Sequence, residues 1–210
     1  MILYFIRHGE TNWNKEKRLQ GQTDIPLNEN GRNAAIEARE RIKDIEIDIA
    51  FSSPLVRAQE TARLVLGKRD IPMYLDERIQ EISFGEEEGK VGRDKDNNPI
   101  GSFYNFFNYP EKYKAPENGE DVIMLYTRTK DFLEDIISRE ELQDKSILIA
   151  THGAALQAMM LWINKEPIAD LWKSGLKKNC SITKAEAKDG IITILEEGER
   201  QYTQKELSGK

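Results

Sequence analysis

Arg7-His8-Gly9, in "YFIRHGETNWN", and His152-Gly153, in "SILIATHG", contain the only two histidines of the 210-residue chain. Each histidine ends a short run of apolar, β-forming residues and is followed at once by glycine. Arg57, in "SSPLVRAQETA", and Glu81, in "EISFGEEEG", lie after two further strand-like stretches. Together these residue types suit phosphoryl transfer. Arginine offers a rigid fork of donors that matches phosphate oxygens, and two of them can hold the oxygens of a transferring group. A neutral imidazole nitrogen can attack phosphorus and divide one difficult step into two. A carboxyl group can protonate the departing oxygen and later activate water, provided apolar neighbours hold it protonated. The second histidine would clamp the group in flight.

Taken singly, each residue has a plainer reading. An Arg-His pair at a strand end can be surface polarity, and His152 alone can be a satisfied structural histidine. Arg57 at a helix start can simply be solvated or ion-paired. What sets them apart is coincidence, because the elements of the chain would bring them together. Ile2–Ile6 reads as a buried strand, and "PLNENGRNAAIEARERIKD" as a helix capped by Asn28 or Asn30. "DIAFSSP" reads as a second strand. "LVRAQETARLVLG" reads as a helix with Pro54 in its first turn and Gly67 at its end, and "IPMYLD" as a third strand. Residues 85–118 show little periodicity and read as an irregular insertion or lid within a single domain spanning 1–210.

Next come a long amphipathic helix in "EDVIMLYTRTKDFLEDIISREEL", with Glu117 or Glu120 at its cap, and a central strand in "SILIATHG". A helix in "AALQAMMLWIN" follows, then a hairpin turned at Asp189-Gly190. From Gly198 the tail is expected to fray or dock weakly. This alternation predicts an α/β three-layer sandwich with a mainly parallel, mixed central sheet flanked by helices. Such sheets gather their ligands at the carboxyl ends of the strands, where the four polar groups fall.

Composition narrows the function classes. Charged residues make up 32% and hydrophobic ones 39%, the balance of a globular protein. A formal net charge of −6 argues against general affinity for nucleic acid, although a few arginines can still make a local positive cleft. No stretch has the apolar length that a bilayer demands, and Ile2–Ile6 is too short for a signal-peptide core, so no membrane partner and a cytoplasmic location are expected. The one cysteine, Cys180, has no partner base in "KKNCSITK" and reads as inert; no Cys/His spacing suggests a metal, and no cofactor is expected.

These blocks carry a resemblance. "LYFIRHGETNWN", "RLQGQTDIPLNENGR", "SSPLVRAQETA", "EISFGEEEG" and "ATHGAAL" resemble, in order, the motifs of the histidine phosphatase superfamily, which includes the cofactor-dependent phosphoglycerate mutases. The resemblance implies a phosphoglycerate mutase-like fold and metal-free chemistry on a small phosphorylated metabolite. It implies that His8 becomes phosphohistidine, that Arg7, Arg57 and His152 form the phosphate pocket, and that Glu81 donates the proton. It further implies that Asn14 touches the phosphate, helped by the backbone of Gly153 and Ala154, and that Thr11, Gln20 and Gly21 border the substrate.

Two branches of the family differ in whether water or a second substrate hydroxyl accepts the phosphoryl group. Mutases typically carry a tyrosine after the acid and an arginine pair in the insertion. Here Phe84 stands in the tyrosine's place, and residues 85–118 contain only Arg93. "EISFGEEEG" resembles the phosphatase branch, although Glu87 stands where that branch often has tryptophan. The expected function is therefore a phosphatase acting on small phosphomonoesters through a phosphohistidine. A phosphoglycerate mutase and a phosphometabolite-binding regulatory module are the alternatives, and a homo-oligomer is left open. The aromatic cluster in "SFYNFFNYPEKY" would either pack the insertion onto the body or line a pocket for a larger ester. Lys90, Lys95, Lys112 and Lys114 would either reach an anionic group or solvate the lid.

Overall fold

In the computed structural model, which describes residues 1–96, 98–101 and 103–209, the apolar runs form two sheets. The strands are β1 (Ile2–Arg7), β2 (Ile49–Ser52), β3 (Met73–Leu75), β4 (Ser146–Thr151), β5 (Leu176–Lys177), β6 (Ile182–Lys188), β7 (Ile191–Glu196) and β8 (Arg200–Tyr202). The main sheet has the order β3-β2-β4-β1-β6-β7, and β5 and β8 make a separate ribbon. Pairs β3-β2, β2-β4 and β4-β1 are parallel, whereas β6 pairs antiparallel with both β1 and β7. The helices are α1 (Asn12–Lys15), α2 (Glu29–Arg41), α3 (Val56–Leu66), α4 (Phe103–Asn108), α5 (Val122–Ser138), α6 (Gly153–Asn164) and α7 (Gln204–Ser208).

Side chains alternate across the central strands, and this alternation builds the layers. Leu3, Phe5, Ile147 and Ile149 pack on one face against Phe132 and Ile136 of α5 and Leu156 and Met159 of α6. Tyr4, Ile6, Leu148 and Ala150 point the other way, onto Ala35 and Ala38 of α2 and Ala62 and Val65 of α3. Each fully buried Leu, Ile or Phe contributes about 1.5–3 kcal/mol, so β1 and β4 are the parts of the fold hardest to displace. The three-layer sandwich with a mixed, mainly parallel sheet is thus present as expected.

Local signals decide the ends of the elements. Asn28 caps α2 by accepting from the Gly31 N–H at 2.8 Å. Asp189 (φ 53°) and Gly190 (φ 74°) form the two-residue turn of the β6-β7 hairpin. Pro54, expected inside the first turn of α3, lies outside it, because extended Leu55 is the cap and Val56 the first helical residue. The cap of α5 is Asp121, whose carboxylate accepts from Met124 N–H at 2.8 Å, and not Glu117 or Glu120.

Two segments depart further from expectation. Residues 85–118 carry α4 and short 3-10 turns, and Phe103, Phe106 and Tyr113 are buried with Phe84, Trp172 and Leu207 in an aromatic cluster. Asn97 and Ser102, which the expected insertion includes, lie outside the described residues. The tail does not fray: β8 pairs with β5, a Thr203–Glu206 capping box starts α7, and Leu207 is buried in the same cluster. That cluster rewards ordering of both segments: the insertion supplies its rings, and the otherwise polar tail adds Leu207.

Candidate active site

Because β1 and β4 pair with Arg7 opposite Thr151, the residues after them leave the sheet side by side. The His8 N–H donates to the Thr151 carbonyl at 2.9 Å, and the Gly9 N–H to Thr61 Oγ1 at 2.9 Å. Glycine is required here by close approach: a Cβ on Gly9 would sit 2.6 Å from the Gly31 carbonyl oxygen, and one on Gly31 would meet the Glu10 backbone. The histidine loop is therefore pressed against the start of α2.

His8 Nδ1 lies 2.7 Å from the Gly9 carbonyl oxygen. A carbonyl only accepts, so Nδ1 carries the proton and Nε2 keeps its lone pair. Burial, reinforced by the charges of Arg57 and Arg7, holds His8 well below its usual 6.5. His152, with its ring centroid 5.1 Å away, is held low by burial and by Arg57. Arg57 Nε donates to His152 Nδ1 at 3.2 Å, which leaves Nε2 to donate to Ser53 Oγ at 2.8 Å. Both rings are thus neutral at physiological pH. In the unfolded chain each takes up a proton near 6.5, and in the folded chain only at lower pH, so acid favours unfolding. Stability measured by denaturant titration is expected to fall below pH 6.5, by up to about 1.4 kcal/mol per pH unit for each histidine; a flat profile from pH 7 to 5 would contradict buried neutral rings.

The two arginines are fixed from behind. Arg57 is fully buried, and its Nη1 and Nη2 donate to the carbonyls of Thr23 (2.9 Å) and Gly21 (2.6 Å). Arg7 Nη1 donates to the Lys177 carbonyl (2.6 Å) and Gln201 Oε1 (2.9 Å), while its buried Nε has no hydrogen-bond partner. Burial lowers both guanidinium groups to about 10, with Glu81 opposing the shift, so each stays charged at neutral pH. An unpartnered buried N–H beside a charged fork is a place for an anionic oxygen.

Glu81 reaches the start of α6. Its carboxylate accepts from Ala154 N–H (3.1 and 3.2 Å to its two oxygens), Ala155 N–H (3.1 Å) and its own neighbour Ile82 N–H (3.1 Å). The apolar surroundings expected for this side chain are therefore replaced by backbone donors at a helix N-terminus. Arg128 of α5 holds the segment that carries it, donating to the carbonyls of Arg78 (2.8 Å), Gln80 (2.7 Å) and Glu81 (2.9 Å). Its charge is balanced by Glu120 at 2.8 Å, which takes that acid away from the cap of α5.

A chamber of about 150 Å³ opens over these groups. Of the residues expected at the site, Arg7, His8, Arg57 and Glu81 line it, as do Asn14, Gln20, Gly21, Phe84, Gly153 and Ala154. Two do not. His152 is fully buried behind Arg57, and buried Thr11 donates its hydroxyl to Gln20 Oε1 at 2.8 Å and accepts from Asn14 N–H at 3.1 Å. Thr11 thus sets the positions of Asn14 and Gln20 from behind the wall. Glu87 is off the wall as well and pairs with Lys90 at 2.8 Å. Lys90, Lys95, Lys112 and Lys114 are not among the residues lining the chamber.

Sequence reasoning did not single out Glu88, Arg128 or Gln201. Glu88 accepts from the N–H groups of Gln22 (2.9 Å), Thr23 (2.8 Å) and Phe84 (3.0 Å) and from the Thr23 hydroxyl, tying the Gly21 loop to the acid loop. The one signal for it was a third acid in a row beside glycine. Cys180 is buried, and burial pushes its thiol up to about 12, consistent with an inert residue.

Comparison with known proteins agrees with this architecture. Residues 3–199 match the sequence profile of the histidine phosphatase superfamily, branch 1. The chain is 32% identical over 159 residues to the uncharacterized phosphatase PhoE of Bacillus subtilis, covering 76% of this chain and 75% of that one. It is 31% identical over 182 residues to the probable phosphoglycerate mutase GpmB of an Enterobacter species, covering 87% and 83%. Among solved structures, Bacillus stearothermophilus YhfR superposes with a TM-score of 0.85 at 36% identity, over 94% of this chain and 96% of that one. With the motif order, the sheet and nearly the full length in agreement, the chain belongs to the histidine phosphatase superfamily.

Proposed function

We propose that the protein is a phosphatase that hydrolyses small phosphomonoesters through a phosphohistidine at His8. The observation that carries this reading is the hydrogen bond from Nδ1 to the Gly9 carbonyl, which directs an unprotonated Nε2 into a chamber walled by Arg7 and Arg57. Nε2 attacks phosphorus, the P–O bond to the ester oxygen breaks, and the Glu81 carboxylate takes a proton from the monoanionic ester and passes it to the departing oxygen, which leaves as an alcohol. Water then gives a proton back to Glu81 as it attacks phosphohistidine, releasing inorganic phosphate and neutral imidazole. Arg7 and Arg57 hold the equatorial oxygens throughout. His152 accepts from Arg57 Nε, and its ring lies tilted by 55° beside that of His8 with centroids 5.1 Å apart, so its role is to position both.

Hydrolysis is favoured over mutase chemistry by Phe84, which has no hydroxyl and packs edge-on against Phe103 and Phe106. Arg93 stands 4.1 Å over the Phe107 ring and donates to the Leu207 carbonyl. The same reading makes the reaction metal-independent, because two guanidinium groups supply the positive charge that a metal ion supplies in other phosphoryl-transfer sites. Release of p-nitrophenol from p-nitrophenyl phosphate is expected and should survive excess chelator. No release, or a loss restored by added divalent metal, would overturn the proposal.

A further inference from the structure

Both groups that hold Arg7 belong to the small ribbon and not to the main sheet. Its Nη1 donates to the Lys177 carbonyl of β5 at 2.6 Å and to Gln201 Oε1 of β8 at 2.9 Å, and its buried Nε has no partner. With Nη1 so occupied, the other edge of the guanidinium group is left for the substrate. The N–H bonds of Nε and Nη2 run parallel on that edge and can grip two oxygens of one phosphoryl group. Both acceptors behind Nη1 are uncharged, and among the described residues no carboxylate forms an ion pair with Arg7. A carboxylate there would aim the fork equally well, but it would cancel charge that the phosphoryl oxygens need.

Gln201 lies past the matched family profile, which ends at residue 199, and the chain holds it from both sides. On the ribbon, Leu176 pairs with Tyr202 and Lys177 with Arg200, and the Lys178 N–H donates to the Glu199 carbonyl at 2.7 Å. The buried Lys177 side chain adds an ion pair to Glu197 at 2.7 Å. Beyond β8, Leu207 is buried in the aromatic cluster, and the carbonyls of Leu207 and Ser208 accept from Arg93 Nη2 (2.9 Å) and Asn108 Nδ2 (3.1 Å) of the insertion. The tail is thus a strap stretched from the ribbon to the insertion, with Gln201 placed on Arg7 along the way. A glutamine on a fraying tail could not fix a direction; one on an anchored strand can.

Resting on the phosphatase reading, we infer that Gln201 is a positioning residue whose neutral amide oxygen turns the Nε–Nη2 edge of Arg7 onto the transferring phosphoryl group without discharging it. Two substitutions separate direction from charge. Q201M keeps the length and removes the acceptor, leaving Nη1 on the Lys177 carbonyl alone. Its kcat on p-nitrophenyl phosphate should fall about three- to thirtyfold with KM little changed, because alignment of the fork counts most in the transition state. Inhibition by vanadate, which adopts the five-coordinate geometry of the group in transfer, should weaken by a similar factor, and inhibition by inorganic phosphate by less. Q201E keeps the acceptor and adds a charge, so KM and the phosphate inhibition constant should rise about tenfold while kcat stays near that of the intact protein. Gln201 is exposed, and neither variant should move the thermal transition by more than about 2 °C. Unchanged kcat and vanadate inhibition in Q201M, unchanged KM in Q201E, or equal losses in both variants with a lowered transition would each overturn the inference, while turnover by the intact protein keeps the phosphatase reading standing. Absence of turnover in the intact protein removes both readings together.

Discussion

The H8A variant is expected to lose turnover of every phosphomonoester by at least about 10³–10⁴-fold, since the nucleophile itself is removed and the neighbours left behind cannot replace it. His152 is no substitute: its Nδ1 accepts from Arg57, its Nε2 faces Ser53, and it is not part of the chamber wall. Cys180 cannot serve either, because its buried thiol is pushed up to about 12. Water remains as a nucleophile, held by the same arginines, and sets the residual rate. The check is twofold. Quenching wild-type protein in alkaline detergent during turnover should trap acid-labile, alkali-stable phosphate on His8, and the variant should trap none. Its thermal transition should remain cooperative, since β1 stays anchored by Leu3 and Phe5 on one face and by Tyr4 and Ile6 on the other. More than a few per cent of wild-type activity in a folded variant would refute the assignment.

How much of this could be read from the chain alone depended on distance along it. His8 and His152 were legible because a run of apolar residues ends in a polar pair, and that pattern places a side chain at a strand's carboxyl end whatever the rest of the chain does. Arg57 and Glu81 followed from the same rule. The supports of the site were not legible, because each acts across the fold. Arg7 meets Lys177 and Gln201 at separations of 170 and 194 residues, and Arg128 meets the Glu81 carbonyl at 47. No local spacing encodes such pairs. The tail failed for a related reason: its only substantial apolar groups are Tyr202 and Leu207, and the aromatic cluster that receives them comes from residues about a hundred positions earlier. In "FYNFFN", dense rings conceal helical periodicity, and α4 emerges only when Phe103 and Phe106 have Phe84 and Trp172 to pack against. Thr11 shows what a motif leaves out: its position implies that it borders the substrate, and the structure adds that it is buried and hydrogen-bonded to Asn14 and Gln20.

The E81Q variant should separate substrates by their leaving groups. The amide is isosteric, and its oxygen can keep the bonds from Ala154 and Ala155 N–H that anchor this side chain, so the chamber should retain its shape. What the amide cannot do is release a proton. Esters of alkyl alcohols, whose departing oxygen is strongly basic, should lose about 10²–10⁴-fold in kcat/KM, the range expected for a general acid. With p-nitrophenyl phosphate the phenolate leaves unaided, so formation of phosphohistidine should slow only a few-fold. The second step still needs a base to take a proton from water, and with it gone phosphohistidine should accumulate. Rapid mixing should then show a burst of p-nitrophenolate approaching one equivalent per chain, followed by slow turnover. Arg128 sharpens the test, because it holds the carbonyls of Arg78, Gln80 and Glu81 and so fixes where the acid can reach. A shorter acid on the same anchored backbone, E81D, should recover part of the alkyl-ester activity and abolish the burst. Uniform slowing across the leaving-group series, with no burst in E81Q, would assign Glu81 to the architecture of the α6 N-terminus and leave the proton transfers to solvent.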